Sequence, residues 1–133
     1  MSTRARQRVA QVVAALLLLG VAVLAGWDLR DEWHGAHTLA QRSVSVAVTT
    51  YCLFGIIAGV GVVMRKRWSV ACAIVWSVAS IYAAGTSVLA YGGGGAAAAL
   101  PAYLGAGAIC ALVVWLTRYA TRSVTNGVTT DVT

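Results

Sequence analysis

Charged positions divide this chain into long uncharged runs. Its fourteen charged residues (10 Lys+Arg and 4 Asp+Glu) leave the runs 9–27, 43–64 and 68–117, which are 19, 22 and 50 residues long. A helix rises about 1.5 Å per residue, so 19 residues reach about 29 Å, close to the hydrocarbon thickness of a bilayer. The 50-residue run would reach about 75 Å and has to fold back on itself. Tyr91-Gly92-Gly93-Gly94-Gly95 is the break, because consecutive glycines cost conformational entropy in a helix and suit a tight turn. The pattern therefore predicts four spans, at about 9–27, 43–64, 68–90 and 96–117. No alternating strand pattern competes, and only helices or closed barrels satisfy the backbone in lipid. The expectation is an all-α, four-transmembrane-helix antiparallel bundle occupying 1–120, followed by a flexible polar tail, 121–133.

Composition agrees with the pattern. Hydrophobic residues make up 59% of the 133-residue chain and charged residues 11%, with a mean hydropathy of +0.78. Soluble domains carry about 45–50% apolar and about 25% charged residues. A soluble domain, a disordered chain and a disulfide scaffold are all excluded.

The distribution of charge predicts orientation. Arg4, Arg6 and Arg8 precede span one, Arg65, Lys66 and Arg67 join spans two and three, and Arg118 and Arg122 follow span four. With four spans these eight basic residues share one side. The other side has Arg30 and Arg42 beside Asp28, Asp31 and Glu32. The positive-inside rule places both termini in the cytoplasm, and the expected location is a bacterial inner membrane. The net charge of +6 needs no nucleic acid to explain it. Arg4 and Arg6 ahead of an apolar run, with Val23-Leu24-Ala25 at its end, also fit a signal peptide. That run exceeds the usual length of about 7–15 residues and three further spans follow, which favours an uncleaved span.

Each span has its own character. Span one is Leu-, Val- and Ala-rich and reads as a peripheral, lipid-facing helix, with Gln11 reaching the headgroups. Span two carries Gly55-Ile-Ile-Ala-Gly59, a spacing that lets another helix backbone approach closely. Span three has a small-residue face, Ala79, Ala83 and Ser87, with Ser80 and Ala84 beside it, and this face is expected to pack on Gly55 and Gly59. Pro101 is expected to kink span four. Between spans one and two, Leu29, Trp33, Ala36 and Ala40 share a helical face, which predicts a short amphipathic interfacial helix with Gly35 weakening it.

The passage from Gly59 to Ser69, with its basic turn Arg65-Lys66-Arg67, resembles the helix–turn–helix joint of many small bacterial four-span proteins, DoxX-like ones among them. The resemblance implies antiparallel neighbours and carries no function. Small multidrug exporters of similar length carry a membrane glutamate, which the four spans of this chain lack.

Candidate chemistry is sparse. Cys52, Cys72 and Cys110 fall inside spans without a CxxC pair and read as small apolar residues. Asp31, Glu32, His34 and His37 are the one set with metal-ligand character, at an i, i+3 histidine spacing that fixes no third ligand. The hydroxyls of Ser69, Ser77, Ser80, Thr86 and Ser87 are expected to bond within their own or a neighbouring helix. No phosphate-binding loop, nucleophile elbow or HExxH occurs, and an intramembrane charge for ion coupling is missing. The leading expectation is therefore a non-catalytic accessory or scaffold subunit that needs no cofactor. Its partners would be the lipid bilayer and other membrane-protein subunits, or a second copy of itself. The alternative is a small oligomeric pore or carrier for a neutral or lipophilic solute, and a third reading is a membrane enzyme or metal-binding protein built on the His34/His37 loop.

Overall fold

The computed structural model describes residues 2–122. Five helices make up the described chain: α1 (Thr3–Trp27), α2 (Leu29–Gly35), α3 (Leu39–Val63), α4 (Trp68–Tyr91) and α5 (Gly95–Thr121). Four of them, α1, α3, α4 and α5, are long and apolar enough to cross a membrane, with mean hydropathies of 1.6 to 2.5 over their most apolar stretch. They fit a multi-pass membrane protein. α3 packs on α4, α4 on α5, and α1 closes the ring against α3 and α5. Short turns make consecutive long helices antiparallel.

The helix ends follow local chemistry. The Ser2 hydroxyl caps α1 by accepting from the Ala5 N–H at 3.3 Å, so the helix starts six residues before the uncharged run. Thr38 and Gln41 form a capping box that starts α3 four residues before its run. That start takes Ala40 into α3. Of the expected helical face Leu29, Trp33, Ala36 and Ala40, only the first two therefore fall in one short helix, Leu29–Gly35, with Ala36 extended. α3 ends in a turn where the Lys66 N–H donates to the Gly61 carbonyl at 2.8 Å and the Arg65 N–H to the Val62 carbonyl at 3.0 Å. This pairing needs a left-handed residue, and Arg65 supplies it at φ 54°. Its Nε donates to the Gln11 side chain at 3.1 Å, which holds a conformation unfavourable to a side chain by about 1–2 kcal/mol. At the other end, Gly93 and Gly95 have φ of 63° and 66°, so the glycine run forms the turn between α4 and α5. α5 runs through Pro101 without a break in its assignment.

Two glutamines of α1 tie three segments together at one end of the bundle. The Gln11 amide donates to the carbonyls of Val62 at 3.1 Å and Val63 at 2.8 Å, and the Gln7 amide donates to the Arg122 carbonyl at 3.3 Å. These bonds satisfy carbonyls that a helix C-terminus leaves unpaired. Gln11 therefore serves the α3 end rather than the headgroups. All three basic clusters gather at this end. α1 is also not peripheral: it buries Ala10, Ala14, Ala15, Leu18 and Ala22, while Leu16 and Leu24 point outward, 67% and 74% exposed.

The core is built from small residues around a few large ones. Leu18, Ala58, Val62, Ala73, Trp76, Cys110 and Val113 form the central cluster. Val44, Ala47, Val48, Cys52 and Ala83 form a second one toward α2. A Cβ on Gly55 would lie 3.0 Å from the Trp76 ring and 3.1 Å from both Ala22 Cβ and the Leu18 carbonyl oxygen. A Cβ on Gly59 would meet the Leu19 side chain at 2.6 Å. The two glycines thus face α1 and Trp76, whereas Ala83 packs further along α3. The expected register between Gly55, Gly59 and the Ala79/Ala83/Ser87 face is displaced accordingly. Gly85 receives the ring of Tyr103, whose hydroxyl lies 3.2 Å from Thr86 Oγ1.

This packing gives a paired test. Gly85→Ala places a methyl inside the space of the Tyr103 ring and should destabilise the protein by about 1–3 kcal/mol, read as an earlier unfolding midpoint in detergent. Gly105→Ala meets nothing within 4 Å and should leave the midpoint unchanged or raise it slightly.

Candidate functional site

The helices enclose a cavity of about 440 Å³ toward the α2 end. This is within the range of about 300–1,000 Å³ usual for small-molecule sites. α4 supplies one stripe of its wall, Trp76, Ser80, Ala83, Ala84 and Ser87, at the spacing of a single helix face. α3 adds Val44, Val48 and Tyr51 at i, i+4 and i+7, and α5 adds Ala106, Ile109 and Cys110. Val21 of α1 and Glu32 of α2 complete it. The space exists because Ala83, Ala84 and Ala106 present only methyls.

The cavity has a side and a polar end. Val21 and Ile109 line it and are also 38% and 57% exposed on the outside of the bundle. The lining therefore reaches the surface at the α1–α5 seam. Elsewhere along that seam the helices meet: Ala10, Val113 and Ala120 share the central cluster, and Gln7 reaches Arg122. α2 bounds the polar end. The Trp33 indole N–H donates to Thr49 Oγ1 at 3.1 Å, and Leu29 packs on the second cluster. These contacts bring Glu32 to the wall, where burial raises its pKa above the ordinary 4.5.

Two polar atoms on this wall are unsatisfied. Trp76 is 2% exposed, and neither its Nε1 nor Ser80 Oγ has a hydrogen-bond partner. Thr117 Oγ1 on α5, away from the cavity, also lacks a partner, whereas the other serines singled out in the spans are bonded. Ser69 donates to the Lys66 carbonyl at 2.7 Å, Ser77 to Ala73 at 2.7 Å and Ser87 to Ala84 at 2.9 Å. Buried polar groups are ordinarily paired, and two of the three exceptions among the described residues belong to residues of this wall.

Comparison with family models, with curated proteins and with solved structures finds no match to this chain.

The residues singled out in the sequence are distributed unevenly around it. Ala83 and Ser87 line the cavity, whereas Ala79 faces a groove with Ala47 and Thr50. Gly55 lies behind Trp76. Pro101 is exposed on α5. The proposed cation set is not brought together. His34 Nδ1 lies 2.7 Å from the Arg30 carbonyl, the His37 backbone N–H donates to Gln41 at 2.9 Å, and Glu32 turns to the cavity. Among the described residues no three His, Cys, Asp or Glu side chains are gathered. Trp76 and Tyr51 were not picked out from the sequence. Trp76 carries a signal, because tryptophans of membrane helices concentrate at the interfaces and this one sits mid-helix.

An unpaired hydroxyl at a buried site carries its desolvation cost without a compensating bond. Ser80→Ala should therefore leave the thermal midpoint of the empty protein unchanged or raise it, by up to about 1 kcal/mol of stability. Ser77→Ala, which removes a formed bond, should not raise it.

Proposed function

We propose that this chain is a non-catalytic, multi-pass inner-membrane protein that takes a small lipophilic molecule from the bilayer into the cavity between its helices, as a binding or carrier protein. The observation that carries this reading is the cavity wall: apolar over most of its surface, open at the α1–α5 seam, and bearing the unpartnered Trp76 and Ser80 atoms. A lipophile dissolved in the bilayer reaches such an opening without crossing water. The orientation that best suits the charges has both termini, and the basic end of the bundle, in the cytoplasm. α2 then lies at the opposite face, at the interface, as a short cover over the polar end of the cavity.

Ala84→Trp would fill the space with an indole. Native mass spectrometry of the protein released from gentle detergent should show a bound apolar molecule for the wild type, and at least about tenfold lower occupancy for the variant, with both folded. Equal occupancy in the two proteins would place the molecule on the outside of the bundle and end this reading.

One observation favours a second role, as an accessory subunit or a homo-oligomer. Gly105 and Gly107 of α5 have nothing within 4 Å of where a Cβ would stand, and Ala97, Pro101 and Ala108 are exposed on the same helix. Small residues on an outward surface let a further helix approach closely. On this role the tagged protein purified in mild detergent retains a partner or runs as an oligomer, and Gly105→Leu disperses it. A monomer without a co-purifying subunit excludes it.

A further inference from the structure

We propose that the occupant of the cavity is an amphiphilic amine, whose ammonium group pairs with the Glu32 carboxylate while its apolar body lies against Val44, Val48 and Ala83. The inference rests on the cavity being a binding site and adds the class of molecule it takes.

Glu32 is the only ionisable acid or base on the wall apart from the Tyr51 hydroxyl and the Cys110 thiol. Its backbone N–H donates to the Asp28 carbonyl at 3.0 Å, but among the described residues its carboxylate has no hydrogen bond and no ion pair. Its own helix carries Arg30 and His34, but Arg30 is exposed and His34 Nδ1 is turned to the Arg30 carbonyl. A partly buried carboxylate without a partner is costly, and a cation placed beside it recovers that cost in an environment of low dielectric. Arg42, in the first turn of α3, is exposed and makes no ion pair with Glu32, and the eight basic residues of the three clusters stand at the opposite end of the bundle.

The rest of the wall fits the rest of such a molecule. The valine and alanine side chains match an alkyl or aryl body. The half-buried Tyr51 adds aromatic surface, which favours a cation over an anion. A carboxylate or phosphate ligand would meet Glu32 as a like charge. A neutral lipophile would fill the space and leave Glu32 unpaired. The ammonium of a free amine and that of an aminophospholipid headgroup present the same chemistry to Glu32, and the bilayer composition separates them.

The test uses the full chain in nanodiscs of phosphatidylcholine, with tritiated phenylbutylamine and phenylbutanol as probes that share one apolar body. Wild type should bind the amine at least about tenfold more tightly than the alcohol, the scale of one charge-assisted hydrogen bond. Glu32→Gln should lower amine affinity to that of the alcohol and leave alcohol binding unchanged. Asp31→Asn, an exposed neighbour, should keep the preference. Amine preference that survives in Glu32→Gln, or no preference in the wild type while both probes bind, overturns the pairing and leaves the cavity standing as a binding site. A Glu32→Gln protein that binds neither probe assigns Glu32 to holding the cavity open and also overturns the pairing. If wild type binds neither probe, the cavity reading itself falls and this inference with it. With the pairing established, competition by added phosphatidylethanolamine identifies the headgroup as the source of the ammonium, and indifference to it identifies a free amine.

Discussion

The bundle depends on how closely the backbones of α1 and α3 approach at Gly55, where α4 contributes the Trp76 ring. In lipid, apolar helices gain little from the hydrophobic effect when they associate, so contact is driven by van der Waals packing and by the few polar bonds available. A Cβ at position 55 would sit 3.0 Å from the Trp76 ring and 3.1 Å from the Leu18 carbonyl oxygen. The absence of that carbon lets α1 lie on α3 and leaves room for the edge of the Trp76 ring beside them. Trp76 in turn bounds the cavity that opens beyond it. The close packing of one half of the bundle and the space in the other half therefore share a cause: a large ring is taken up where a glycine admits it, and only small residues, Ser80, Ala83, Ala84 and Ser87, follow it on that face of α4.

Polar groups are managed differently at the two ends. At the basic end Gln7 and Gln11 satisfy carbonyls of α5 and α3, and Arg65 is held in a left-handed conformation by the same Gln11. The C-terminal ends of α3 and α5 are both tied there to α1. At the α2 end the ties run through side chains: Trp33 to Thr49 at 3.1 Å and Ser43 to Tyr82 at 3.0 Å. The first end is fixed by backbone acceptors that cannot move without unwinding a helix. The second is fixed by side chains, whose rotamers can change. The cavity, and the two unpaired polar atoms on its wall, lie on the side-chain-tied half.

The sequence made the large divisions legible because each rests on one strong term. Charges are excluded from the hydrocarbon, so their spacing marked four spans, and the glycine run marked a turn that needs left-handed residues at Gly93 and Gly95. The small-residue faces were legible as faces, but not their partners: Gly55 and Gly59 meet α1, because the rotation of α3 is set by three neighbours at once. Span one read as peripheral since its alanines, at Ala14, Ala15 and Ala22, resemble lipid-facing filler until another helix covers them. Gln11 read as a headgroup residue since no local pattern says that two carbonyls 51 and 52 residues away will arrive beside it. The site was the least legible part. Glu32 was grouped with His34 and His37 by proximity in sequence, whereas a seven-residue helix turns successive residues by about 100° and separates them.

That short helix is what gives Glu32 its position. A seven-residue helix has too few internal bonds to be stable alone, and the capping residue before it, Asp28, makes no side-chain bond to its end. Its place is set from outside, by Leu29 packing on the second cluster and by the Trp33–Thr49 bond. The capping box of Thr38 and Gln41 fixes where α3 begins, and so fixes the length of the connection that α2 has to fit. The carboxylate is thus carried by the least self-sufficient element of the fold and presented to a cavity whose walls belong to the most rigid ones. An arrangement of this kind lets the polar end of the cavity adjust to an occupant through α2 alone, while Trp76, locked against Gly55, keeps the floor in place.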